Sequence, residues 1–162
     1  WGMANRNLTT TLHHLTGLRF VGETPDGQRT MIDNEKRART GPSPMQLVMH
    51  ALAACAAMDV VVMLGKRRLE IKEYRIEMLG ERPDAVPAPF ERFRARHVFD
   101  VPGLDEATAR RFVDLASEKY CSVGASLKAE VENEVVLLHE AASTEQVAAE
   151  AAREVEDSTS AD

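Results

Sequence analysis

Apolar and polar positions divide this chain into one long saturated run flanked by short alternating ones. From Met45 to Leu64 almost every residue is apolar, and the run has chemistry at both ends. Pro42 and Pro44 frame Ser43, whose hydroxyl can accept from the open N–H groups of a first helical turn. Pro44 takes the first helical position, where a missing donor costs nothing. Gln46 stands three residues after Ser43, the spacing of a capping box. Gly65 and the cations Lys66, Arg67 and Arg68 suit a carbonyl end. The pattern predicts a central helix, and apolar side chains on every side predict that it is buried all round.

Before this helix, Leu8 to Leu15, Leu18 to Gly22 and Arg29 to Ile32 are short runs rich in Thr, Leu, Phe, Val and Ile. They are broken by Thr16-Gly17 and by the turn sequence Thr24-Pro25-Asp26-Gly27. They predict a meander of two or three strands, and Asn34 to Thr40 predicts a polar, basic, solvated loop into the helix. After it, Leu69 to Leu79 changes phase between Ile71 and Tyr74, which predicts a bulge or a late strand start. Gly80 to Pro89 is a proline-rich loop. Arg92 to Val101 alternates, with Phe93, Ala95, His97, Phe99 and Val101 on one face. On that face His97 reads as a satisfied core or interface histidine rather than a catalytic one. Asp105 to Tyr120 predicts a helix capped by Asp105, Ser122 to Leu127 a turn-like segment, and Lys128 to Leu138 a strand with Ala129, Val131, Val135 and Leu137 facing one way. From Glu140 the chain is rich in Ala, Glu and Ser with few large apolar anchors. An acidic tail over 140–162, helical or disordered, is expected, outside a single domain over 3–139.

Consecutive strands rather than alternating strands and helices predict an α+β fold with antiparallel sheet. One small sheet cannot cover a helix that is apolar on all sides. Two copies covering each other's helices, an obligate symmetric homodimer, are therefore expected. The central run is long enough for a membrane span of roughly 20 residues. Its His50 and Asp59 argue against one, since Asp at mid-bilayer costs at least about 2.5 kcal/mol. The 162 residues fit one domain. A net charge of −6 argues against a sequence-independent nucleic-acid binder. Met3 is the expected natural start, with Trp1-Gly2 a remnant before it. No secretory pattern is read, so a cytoplasmic location is expected.

The two cysteines, Cys55 and Cys121, are too few for a disulfide scaffold and too far apart in sequence for the paired spacing of a zinc site, so no metal is expected. Alone, Cys55 reads as a core residue more readily than as a catalyst, because buried structural cysteines are inert. Cys121 follows a predicted helix and precedes Ser122-Val123-Gly124. There a small motion could carry it to another sulfur, provided the Cα atoms approach within about 7 Å.

GPSPMQL, then HALAACAAMDVV, then SEKYCSV together resemble the OsmC/Ohr family of thiol peroxidases, osmotically inducible protein C and the organic hydroperoxide resistance proteins, in its YhfA-like branch. The resemblance runs from about Leu18 to Leu138. It implies an intertwined homodimer, with antiparallel sheets packed around long buried central helices and sites between subunits. It further implies reduction of organic hydroperoxides, fatty-acid hydroperoxides fitting the apolar pocket, in oxidative-stress defence. A lipoyl-type or other dithiol would be the reductant, with no cofactor. By motif position Cys55 would be the peroxidatic thiol and Cys121 the resolving one. The family activates its thiol with an Arg held by a Glu. Here Met45 stands where the Ohr-like Glu would be, and Gln46 follows. Arg39 is the candidate cation, with Arg37 and Arg19 as rivals, and Gln46 could hold a guanidinium by its carbonyl. Asp59 is read as pairing with a cation across the dimer. The lost carboxylate keeps a second reading open: the same fold as a dimeric apolar-ligand-binding or thiol redox-sensing protein with little turnover.

Overall fold

The computed structural model describes residues 7–138. The tail expected over 140–162 and the start at Met3 lie outside them. The chain divides into two units, one ending at His50 and the other beginning at Ala51.

In the first unit the three short runs form an antiparallel meander of β1 (Thr11–Thr16), β2 (Arg19–Glu23) and β3 (Arg29–Asp33). Gly17 turns β1 into β2 at φ +54°, a left-handed conformation that a side chain would strain. Asp33, fully buried at the end of β3, organises the basic loop. Its carboxylate accepts from the backbone N–H of Glu35 at 2.8 Å, from the N–H and hydroxyl of Thr40 at 2.8 and 2.9 Å, and from Arg19 Nε at 3.0 Å. Burial alone would raise its pKa; these donors outweigh burial and hold the carboxyl far below the usual carboxylate range. The loop is thus tied to a hub rather than simply solvated, and Ala38 within it is left-handed at φ +51°.

The central helix α1 spans Pro44–Lys66. The capping box forms at its start: Gln46 Oε1 accepts from Ser43 N–H at 2.9 Å and Ser43 Oγ accepts from Gln46 N–H at 3.3 Å. Burial on every face is not found within one chain. Only Leu52, Ala56, Val60 and Leu64 are buried, a stripe recurring every four residues, while Met58, Val61 and Val62 are exposed. The reason is the one anticipated from area: a single small sheet with its helices can cover one face of this helix and no more.

The second unit carries β4 (Glu73–Glu81), β5 (Arg92–Asp100), α2 (Glu106–Asp114), a π-helical turn (Leu115–Tyr120), α3 (Ser122–Ala125) and β6 (Glu130–Leu137). The phase change before Tyr74 resolves as a late strand start, with Leu69 and Ile71 packed on the core instead. Asp105 caps α2, its carboxylate accepting from Thr108 N–H at 2.8 Å. The segment after Cys121, expected as a turn, closes into the short α3.

The expectation of wholly antiparallel sheet needs correction here. β4 pairs with β5 antiparallel, but β6 lies parallel to β5, with Phe99 opposite Leu137. After β5 the chain crosses back through α2, the π-turn and α3 before re-entering the sheet in the same direction, and parallel pairing requires such a crossover. The inner face of β5 and the α1 stripe meet in a core of Ala56, Val60, Leu64, Phe99, Val101, Leu104, Val113 and Leu137, among others. On the outer face Arg94 and Arg96 of β5 stand between glutamates, at 2.9 Å from Glu81 and 2.8 Å from Glu77 on β4 and at 3.5 Å from Glu132 and 3.7 Å from Glu134 on β6. These exposed pairs favour the observed pairing of strands more than they add stability.

His97 is fully buried on the inner face. Its Nδ1 is 2.8 Å from the Tyr74 hydroxyl, and Tyr74 in turn stacks on Phe99 with ring centroids 4.6 Å apart. Burial lowers the His97 pKa from the usual 6.5 to about 4, and the nearby Asn133 side chain offsets this only in part. Its Nε2 has no aligned partner. The core-histidine reading therefore stands, with one ring nitrogen satisfied. A depressed histidine means that the unfolded chain binds more protons than the folded one between these two values. Stability is expected to be complete above pH 6.5, to fall by about 3 kcal/mol as the pH drops from 6.5 to about 4, and to level off below that as far as this group is concerned. Urea midpoints measured across this range test it, and His97→Leu should flatten the His97 part of the slope while lowering stability throughout.

Candidate active site

The two sulfurs reach one another by different routes. Cys55 rides on α1 one turn beyond Leu52 and is half-buried; Cys121 leaves the π-turn in extended conformation (φ −72°, ψ 95°) and is buried, 5% exposed. Cys121 Sγ accepts the Gly124 N–H at 3.2 Å, so the cysteine side chain caps α3. The Cys55 thiol lies against it. Burial pushes the Cys121 thiol up, and the neighbouring Cys55 sulfur adds to that rise, while the N–H groups of Gly124 and Val123 act in the opposite sense. Among the described residues, those acting most on Cys121 are Gly124, Val123 and Cys55, none of them a cation. Both cysteines are free. A methyl at Gly124 would stand 3.4 Å from Cys121 Sγ and 3.6 Å from Leu52 Cδ1, so the glycine marks the seam where α3 meets α1 beside the sulfurs.

The other candidates are engaged within the first unit. Arg39 Nε donates to the Glu35 carbonyl at 2.7 Å. Arg19 is held by Asp33 and by the Ala38 carbonyl, the latter at 2.9 Å. Arg37 is exposed. The Gln46 carbonyl is occupied by Ser43 in the capping box. Asp59 is half-buried and makes no ion pair among the described residues. Two groups escaped the sequence reading. Asp33 could have been suspected as an acid closing a strand before a loop that ends in Thr40. Gly124, three residues beyond Cys121, has the spacing of a cap whose acceptor is sulfur.

A family model described as OsmC-like protein matches residues 35–136, a span containing both cysteines. The chain belongs to the OsmC-like family. Protein YhfA of Escherichia coli (strain K12) is 34% identical over 112 residues, covering 69% of this chain and 83% of YhfA. Among solved structures, a hypothetical protein from Aquifex aeolicus has a TM-score of 0.70 at 24% identity, covering 82% of this chain and 97% of that one. The organic hydroperoxide resistance protein OhrB of Bacillus subtilis has a TM-score of 0.52 at 22% identity, covering 80% and 97%. At these identities the two structures speak for the fold alone.

Proposed function

We propose that this OsmC-like protein is a thiol-dependent peroxidase that reduces organic hydroperoxides to alcohols. The observation that carries the reading is the apposition of two free cysteines, one half-buried on an apolar helix and one buried at a helix cap. In the proposed cycle the Cys55 thiolate attacks the distal oxygen of ROOH. The O–O bond breaks, ROH leaves with a proton, and Cys55 becomes a sulfenic acid. Cys121 then attacks the Cys55 sulfur, expelling water and forming a disulfide, and an external dithiol restores both thiols. Family membership and the hydroperoxide-resistance proteins that share the fold support this assignment. The exposed Met58, Val61 and Val62 of α1 support association of two copies through that helix.

A second reading, a redox-sensing or apolar-ligand-binding member with little turnover, is favoured by one feature: Met45 and Gln46 offer no carboxylate at the start of α1, and Arg39 is turned to the Glu35 carbonyl. Stopped-flow consumption of cumene hydroperoxide and of H₂O₂ with dihydrolipoamide as reductant separates the two. The peroxidase reading expects the organic peroxide to be consumed faster than H₂O₂, and both far faster than by free cysteine. Rates no higher than those of free cysteine would leave the sensing reading.

A further inference from the structure

Along α2 and into the turn after it, the residues that face the core of their own chain are Ala109, Phe112, Val113 and Ala116, spaced with the α-helical period. Four residues beyond Ala116, that period assigns the next inward place to Tyr120. Tyr120 is instead 51% exposed, with the Lys119 ammonium 5.7 Å from its ring centroid, and the buried side chain is Cys121, one residue further on. The stretch that makes this change is the π-helical turn Leu115–Tyr120. We propose that this turn is a positioning element of the thiol pair: the residue it holds in excess of an α-turn moves the inward place from the Tyr120 phenol to the Cys121 thiol, and so sets that sulfur against Cys55.

Hydrogen bonds in a π-turn join residues five apart where those of an α-helix join residues four apart, so a residue five beyond Ala116 returns to the Ala116 face only through a π-turn. Cys121 closes the turn with φ −72°, near the helical value, and leaves helical geometry only at ψ 95°. The direction of its Cα–Cβ bond is therefore still set by the turn before it, and the chain swings away only after the sulfur has been aimed. A second observation does not depend on helical phase. The Gly124 N–H donates to Cys121 Sγ at 3.2 Å, and a methyl at Gly124 would stand 3.6 Å from Leu52 Cδ1 on α1, so the sulfur and the helix it caps reach α1 together, one turn before Cys55. What governs the pairing is then the count of residues between Ala116 and Cys121 rather than their identity. Four residues need a π-turn, three would reach the same place in an unbroken α-helix, and five fit neither geometry. The catalytic consequence rests on the peroxidase reading, in which the turn governs how quickly the Cys55 sulfenic acid meets Cys121; the pairing itself does not.

The test changes the length of the turn at its exposed residues in the full chain. Three variants are compared with the parent: Glu118→Ala, deletion of Glu118, and insertion of one alanine between Glu118 and Lys119. Each is reduced, shown to be folded by its urea midpoint, and treated with diamide, and the Cys55–Cys121 disulfide is followed by peptide mass mapping. Glu118→Ala and the deletion are expected to form the bond within about threefold of the parent rate, and the insertion at least about tenfold more slowly. With cumene hydroperoxide, the insertion variant should also accumulate a Cys55 sulfenic acid that dimedone traps. A general disturbance of the helix would impair both length changes alike, whereas loss from the longer turn only is the signature of helical phase. The inference is overturned if the insertion variant pairs its cysteines as fast as the parent, or if the deletion is slowed as much as the insertion; should the insertion variant not fold, slow pairing in the deletion variant overturns it by itself. A parent chain that formed no disulfide with diamide would remove the pairing and the inference together, whereas normal pairing without fast hydroperoxide consumption would sink the peroxidase reading alone.

Discussion

Cys55→Ser is expected to abolish hydroperoxide consumption, leaving only the background reaction of the reductant with peroxide, because a serine hydroxyl cannot reduce an O–O bond through a sulfenic acid. Cys121→Ser should behave differently. Cys55 would still be oxidised, but its sulfenic acid would persist and be trapped by dimedone, since the neighbour that forms the disulfide is gone. A dithiol could still reduce the half-buried Cys55 directly, so turnover is expected to fall by roughly tenfold rather than vanish. Stopped-flow assays of both variants, with dimedone adducts read by mass spectrometry, check the pair. Full activity in Cys55→Ser would remove Cys55 from the mechanism.

Phe99→Ala is expected to produce the largest loss of stability, about 3–5 kcal/mol by urea unfolding. Phe99 is fully buried near the end of β5, the middle strand of its sheet, stacks on Tyr74 at 4.6 Å, and packs in the core that also holds Ala56, Val60 and Leu64 of α1. The ring's removal leaves a cavity bounded by strands on both sides, each fixed by its ladder, so collapse is limited. It also strips the stacking partner from the Tyr74 pair that supports His97. The exposed Leu79 of β4 provides the comparison: Leu79→Ala should cost far less, because that side chain has little burial to lose.

Much of the frame could be read from local chemistry. Ser43, Pro44 and Gln46 mark the start of α1 because capping is satisfied within one turn, by residues three apart. Alternation along Arg92 to Val101 identifies β5 because a half-buried strand has a period of two. The direction of β6 was not readable, since strand orientation depends on the path of the crossover and not on the residues that pair. The glutamates beside Arg94 and Arg96 were likewise invisible, because they sit on the two strands that flank β5.

The candidate site divides along the same line. Two cysteine motifs in family context named the sulfurs, but the sequence alone favoured a core role for Cys55 over a catalytic one. Their asymmetry, one half-buried and the other enclosed and capped by Gly124, came from the π-turn and α3 carrying Cys121 back to α1. Arg39 and Gln46 were chosen by motif position, and folding gives each a nearby oxygen or N–H partner that the sequence did not rank: the Glu35 carbonyl and the Ser43 amide. Short-range rules thus settled where α1 begins and which residues of β5 face inward, because capping and periodicity act over a few residues. Which way β6 runs, how much of α1 one chain can cover, and which sulfur is the more enclosed were decided only by the tertiary structure, because each depends on where a distant segment comes to rest.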